Sequence, residues 1–343
     1  MDQINDYQLM LEMLPLPAFT VKDGVISECN SRALQMLINP GDPIAPMLGT
    51  NADDYARQTA SALSVTLQFD CATVAATVTK LSDRALFQVE DNALSKDLKG
   101  MILLGNHMRI PLSGLISYAD RNKESISQDI RRDLSRLSRT LNNLRNVQKY
   151  ASDDGSYQQV RDLCSVFDEV LEECTVLLEN AGLTVKYTLP NHPIYSLCDS
   201  QMLRQAVYNL LENAARSVPA KETIEIAVTE TDSQVLLSVV NPRPIATSTV
   251  AANFFNCYSR DLSLSDGVYG LGLGMSVVRM VAKAHGGTVL MDQLKEGCTR
   301  VTMTLRIRNP EGNTIRTPTI TIIPSQEDGL VMLSNVLPSE LYQ

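Results

Sequence analysis

The chain has 343 residues, 44% hydrophobic and 20% charged, with a formal net charge of −9. That length suits two or three domains with folded cores, and the apolar content excludes wholesale disorder. The acidic balance argues against a general nucleic-acid binder, whose surface would be basic, so no nucleic-acid partner is expected.

Residues 6–38 read as a helix, a hairpin and a second helix. Asp23-Gly24 lies between two short alternating runs, which predicts a tight hairpin turn. Asn30 stands where it would cap the helix running through Ala33, Leu34 and Leu37. The stretch Asn39-Pro40-Gly41-Asp42-Pro43 stops that helix. Residues 63–90 alternate as strands, so a small α+β domain is expected over 1–91.

Residues 92–152 change character. Leu94, Leu98, Met101, Gly105, Met108, Leu112, Leu115 and Ala119 alternate at spacings of four and three, a heptad seam with Gly105 as its gap. A polar turn follows, and Ile130, Leu134, Leu137, Leu141 and Leu144 repeat the pattern. Two such helices form an antiparallel hairpin. One hairpin cannot bury both stripes, and two can, as a four-helix bundle, which predicts a homodimer through helices 92–151. The alternative is that the seams pack on neighbouring domains.

Over 158–308 helices are expected near 161–181, 199–217 and 272–285, with Gly182 ending the first and Pro219 beyond the second. Strand runs lie at 184–189, 223–230, 234–240, 287–292 and 300–307. This order fits helices on one face of a mixed sheet. The extension 309–343 holds two apolar runs and suits either an edge strand or packing on a partner. The seven cysteines, at 29, 71, 164, 174, 198, 257 and 298, form no CxxC pair. They read as reduced residues of a cytoplasmic protein and not as a metal site. Apolar runs such as Met101–Leu104 fall far short of the roughly 20 residues a membrane span needs, so no membrane insertion is expected.

Two clusters carry chemistry. Gly270, Gly272 and Gly274 open an amphipathic helix, where glycines let backbone N–H groups approach an anion at the favourable end of the helix dipole. A flexible turn would show the same letters. Asn209 and Asn213 share a helical face, with Arg216 three further. Two amides and a guanidinium in line suit a magnesium ion and phosphate oxygens, though alone they also read as a solvated stripe.

Together, the run Asn209–Arg216 (NLLENAAR), the glycines about sixty residues on and Ala284-His285-Gly286-Gly287 resemble the ATP-binding domain of sensor histidine kinases, a GHKL-type ATPase. Leu104–Leu112 (LGNHMRIPL) resembles that family's H box, and Leu14–Leu37 the start of a PAS sensor domain. The resemblance spans about 9–308. It implies an α+β multidomain chain: a PAS-like α/β sensor, a two-helix antiparallel hairpin dimerising to a four-helix bundle, and a Bergerat-type α/β sandwich ATPase domain. It also implies ATP and magnesium as cofactors and a response regulator as partner. Carried over by motif, Asn209 and Asn213 form the N box, with Asn213 the magnesium ligand. Gly270, Gly272 and Gly274 form the G2 box, Phe255 and Tyr258 the F box, and Arg260 the basic residue after it. His285 corresponds to a structural helix end, and His192 sits in a polar loop. No haem or flavin signature marks the sensor's ligand.

The chain departs from the family pattern at two boxes. Anchored on Met108-Arg109-Ile110-Pro111-Leu112, the H box puts Asn106 at the phosphate-accepting position and His107 at the acidic one. An asparagine amide is not basic and is no nucleophile. Ile110 replaces the polar residue that aligns water. His107 lies about 100° around the helix from residue 106 and is followed by Met108, not a carboxylate. In the G1 box, Val240 or Asn241 stands for the aspartate, and no glycine occurs between Gly182 and Gly267. Asn241 could accept from adenine through its amide oxygen, while Pro242 and Pro244 remove two donors. Losing the charged acceptor weakens binding by roughly 1–3 kcal/mol. Two readings follow: an active autokinase using His107 that passes phosphate to a response regulator, and a dimeric pseudokinase that signals by shape. The sequence favours the second at the usual position. Arg131, Arg132, Arg136, Arg139, Arg145 and Lys149 mark a basic face on the second hairpin helix, expected to be solvated or to meet an acidic regulator.

Overall fold

The computed structural model describes residues 6–14, 16–48, 55, 62–69, 72–89, 96–151, 159–218, 222–243, 273–294, 297–308 and 326–342. They fall into two units, the first comprising residues to Asp97 with Leu290–Gln293, the second most of the chain from Leu98 on.

In the first unit, α1 (Asp6–Glu12) precedes β1 (Ala18–Lys22) and β2 (Val25–Cys29), then α2 (Ser31–Gln35), α3 (Ala45–Leu48), β3 (Ala62–Phe69), β4 (Ala72–Lys80) and β5 (Ala85–Val89). The antiparallel strands lie in the order β2-β1-β5-β4-β3. The expected turn is present: Asp23 and Gly24 take φ of 53° and 79°, both left-handed, and Lys22 pairs with Val25. Asn30 is fully buried. Its Oδ1 accepts from Ala33 N and Ala18 N, and its Nδ2 donates to the carbonyls of Leu11 and Leu16. One side chain thus caps α2 and ties the end of α1 to β1. Alternate strand positions bury Phe19, Val21, Leu63, Val65, Leu67, Val74, Val78 and Phe87 in the main core, with the rings of Phe19 and Phe87 stacked at 4.9 Å. Leu11, Ala18 and Leu86 form a smaller cluster under α1.

The second unit begins with the expected hairpin, α4 (Lys96–Arg121) and α5 (Gln128–Ala151). The gap at Gly105 is filled by α5: a Cβ there would lie 3.2 Å from Leu144 Cδ1. Leu112, Ala119 and Leu144 are buried, while Leu103, Leu104, Met108, Leu115 and Tyr118 on α4 and Ile130 and Leu137 on α5 stay exposed. Then come β6 (Gln159–Asp162), α6 (Leu163–Asn180), β7 (Thr184–Thr188), β8 (Tyr195–Cys198), α7 (Ser200–Ser217), β9 (Thr223–Glu230), β10 (Gln234–Asn241), α8 (Gly274–Ala284), β12 (Thr299–Arg306) and α9 (Gln326–Met332), while β11 (Val289–Gln293), between α8 and β12 in the chain, counts with the first unit from Leu290 on. Strands β12, β10, β9 and β7 are neighbours in that order, with β7 parallel to β9 and the other pairs antiparallel. Helices α6, α7 and α8 pack on β7, β10 and β12 respectively. Asp162 and Asp199 cap α6 and α7 through their carboxylates, and Gly182, at φ 82°, ends α6 as expected.

The C-terminal extension differs from expectation. Residues 326–342 form no edge strand. They fold as α9 and a 3-10 turn (Ser339–Leu341) that pack on α5, α6 and α7 of the same chain. The other apolar run of the extension, 317–324, lies outside the described residues. Among the described residues no helix is long and apolar enough to cross a membrane.

Candidate nucleotide site

Helix α7 carries the residues read as an N box, and its apolar positions, Met202, Leu203, Ala206, Leu210 and Leu211, repeat every three to four residues and are buried. That packing fixes the polar stripe of Asn209, Glu212, Asn213 and Arg216. Asn209 is 1% exposed. Its Nδ2 donates to Gln205 O at 2.8 Å, and its amide exchanges hydrogen bonds with that of Asn143 on α5 at 3.3 and 3.4 Å. Asn213 is half-buried, and its Oδ1 accepts from Arg216 Nη2 at 3.2 Å. Arg216 also faces Glu212 at 3.7 Å.

Gly274 begins α8 directly against this stripe. A Cβ there would sit 2.8 Å from Asn209 Oδ1, closer than real contacts allow. The missing side chain lets the last glycine of the G2 box meet the N box. Gly270, Gly272 and Arg260, with Phe255 and Tyr258, lie outside the described residues.

At the G1 position the two registers separate. Along β10 the odd positions Val235, Leu237, Val239 and Asn241 are buried, while Val240 is half-buried on the other face. Asn241 Oδ1 is buried and, among the described residues, has no hydrogen-bond donor. A buried amide oxygen without a donor is disfavoured by about 1–3 kcal/mol, so this atom calls for an N–H partner. Amide oxygens at 213 and 241 and a close-packed helix start fit a magnesium nucleotide: Asn213 would hold the metal, and Asn241 would accept from the base.

On the hairpin, Asn106 and His107 are both exposed on α4. Asn106 Nδ2 lies 3.5 Å from Gln148 Oε1, at the limit of a hydrogen bond. Pro111 sits inside the helix and has no N–H to give the carbonyl of His107. His285 has the structural place expected of it: its Nε2 accepts from Asp199 N at 3.1 Å, which puts the ring proton on Nδ1, 2.8 Å from Val281 O. His192 pairs with Glu230 at the surface.

The basic face of α5 is solvated only in part, with Lys149 exposed and Arg131 and Arg139 buried. Arg139 bonds Glu212 of the N box at 2.8 Å, with side chains 7% and 4% exposed. Burial pulls the Arg139 pKa down, and the Glu212 carboxylate pulls it back up. Arg136 reaches Ser334 O, Arg131 reaches Ala119 O, and Arg132 pairs with Asp129. Arg145 is exposed. The sequence pattern missed the partners of Arg139 and Arg136 because they come from α7 and the C-terminal extension. Glu212, a carboxylate next to the buried Leu210 and Leu211 of α7, was the one available signal.

Residues 198–309 match the family described as histidine kinase-, DNA gyrase B-, and HSP90-like ATPase. The chain is 24% identical over 264 residues to the sensor protein KdpD of Clostridium acetobutylicum, covering 73% of this chain and 28% of that protein. It is 28% identical over 182 residues to the adaptive-response sensory kinase SasA of Synechocystis sp., covering 53% and 45%. Less than half the length of either relative is therefore spanned. Among solved structures, full-length ShkA in complex with AMPPNP aligns with a TM-score of 0.49 at 18% identity, over 62% of this chain and 46% of that one.

Proposed function

The chain belongs to the sensor histidine kinase family, with its ATPase domain over residues 198–309, and on that premise we propose that it is a two-component pseudokinase: it binds Mg-ATP weakly and signals by shape, without accepting phosphate at the usual place on its hairpin. The observation that carries this reading is Asn106. Counted from Pro111-Leu112, the acceptor position on α4 holds an exposed amide, which has no basic nitrogen to attack a phosphorus.

Bound ATP would supply a transferable phosphoryl group and a charge-rich triphosphate. Asn213 would hold a magnesium ion that shields it, and Arg216 would offer a guanidinium to its oxygens. Asn209 braces the start of α8 beside Gly274, and Asn241 orients the base. Gly270, Gly272 and Arg260 complete the phosphate side in this reading. Residues 1–91 serve as a PAS-like sensor, 92–152 as a homodimerising hairpin and 158–308 as the ATP-binding domain. A response regulator is the partner. A cytoplasmic setting is supported by the free buried cysteines 29, 164, 174 and 198.

His107 motivates a second reading. It is exposed on α4 and open to a phosphate donor, so an autokinase that uses it remains a defined alternative. Labelled ATP separates the two. The pseudokinase binds Mg-ATP, loses that binding in Asn213→Ala, and takes up no label. An acid-labile, base-stable label that disappears in His107→Ala establishes the autokinase instead.

A further inference from the structure

Residues 326–342 touch helices of both the hairpin and the ATPase domain. On the hairpin side, Arg136 Nε of α5 donates to Ser334 O at 3.1 Å. On the ATPase side, Gly329 N donates to Glu173 Oε1 of α6 at 2.9 Å, and Asn335 Nδ2 to Glu212 Oε1 of α7 at 3.2 Å. Met332, Leu333, Ser334 and Leu337 are no more than 2% exposed. Tyr342 folds the segment back on itself, its hydroxyl donating to Leu330 O at 2.8 Å. Gly329 packs closely on α6: a Cβ there would lie 2.7 Å from Leu177 Cδ1, so a side chain would have to displace the ends of Leu177 and Glu173. Beside α9, Val331 and Met332 close one wall of a 220 Å³ cleft whose other walls include Arg109 and Ser113 of α4.

Glu212 is where these contacts converge. It lies between the two N-box asparagines, is ion-paired to Arg139 of α5, and accepts from Asn335 of the extension. Three residues away, Asn209 shares its amide with Asn143 of α5. The same N-box stripe therefore holds the hairpin and is held by the extension. A helix of seven residues has no stability of its own, so α9 persists only while docked, and its undocking is a local opening.

We propose that residues 326–342 are an internal strap that keeps α5 seated on the N-box helix α7, and that releasing the strap frees α7 and raises nucleotide affinity. The affinity half rests on the nucleotide reading above; the seating half does not. Each contact named is non-covalent, so a partner that captures the extension can switch the state reversibly.

The test uses the full chain with Leu333→Asp, which places a charge in the buried contact, and Arg136→Ala, which removes one bond. Hydrogen–deuterium exchange in α5 and α7 is compared with that in β9 and β10, and the affinity for a fluorescent ATP analogue is measured with magnesium. Leu333→Asp is expected to speed exchange in α5 and α7 about tenfold while the strands stay protected, and to tighten the analogue about fivefold. Arg136→Ala moves both in the same direction by less. Fast exchange confined to 326–342, with α5 and α7 unchanged, overturns the strap, as does unaltered affinity in a variant that binds. If Leu333→Asp also opens β9 and β10, Arg136→Ala decides by the same criteria. Absence of binding in every form overturns the nucleotide reading and the affinity half, and exchange still decides the seating.

Discussion

Gly274 and Asn209 show how little room the candidate site leaves. Asn209 is held by Gln205 O on its own helix and by Asn143 on α5, so its amide cannot swing aside freely. Gly274→Ala puts a methyl 2.8 Å from its Oδ1. The added methyl lowers the entropy of the unfolded chain, which offsets part of the clash, so net stability changes by under about 1 kcal/mol. Nucleotide affinity, which depends on how α8 begins against α7, is expected to fall about tenfold in calorimetric titration with Mg-ATP, about 1.4 kcal/mol. Undiminished affinity would mean that the close approach serves packing only. Asn241 poses the complementary case: its buried Oδ1 meets no donor among the described residues.

Helices α5 and α7 are joined by a charge pair that neither could bury alone. Arg139 and Glu212 are both under 10% exposed, so removing one leaves the other uncompensated away from water. Arg139→Met is expected to lower unfolding free energy in urea by about 3 kcal/mol, the low end for a broken buried pair, because Arg216 and Asn335 still face Glu212. Adding Glu212→Leu restores most of that loss, since two apolar side chains pack where two charges stood. A single-variant loss below about 0.5 kcal/mol would class the pair with surface ion pairs.

The hairpin presents more apolar surface than one chain covers. Met108 and Leu115 on α4 and Ile130 and Leu137 on α5 remain exposed at seam positions, with Leu103, Leu104 and Tyr118 exposed beside them. A run of this kind is what a second hairpin buries in a four-helix bundle. Sedimentation velocity is expected to find a dimer, and Leu115→Asp a monomer with unchanged helicity. A wild-type monomer at tens of micromolar would return the seam to the alternative of packing within the chain.

The local grammar was legible without coordinates. Asp23-Gly24 needs left-handed backbone and takes it, Asn30 caps the helix it precedes, and the spacings of four and three draw both hairpin helices, because each depends on near neighbours in the chain. The letters at 209–216 and 284–287 likewise marked the ATPase kinship that the family match over 198–309 bears out. What only the folded chain decided is which distant groups share a surface. The side of β10 that Asn241 takes follows from strand pairing with β9 and β12. The burial of Arg139 on Glu212, and the docking of 326–342 across α5, α6 and α7, join residues 73 and more positions apart, Arg136 and Ser334 being separated by 198. Periodicity reports which face of an element is apolar, whereas a partner for a buried charge is chosen by packing across the fold.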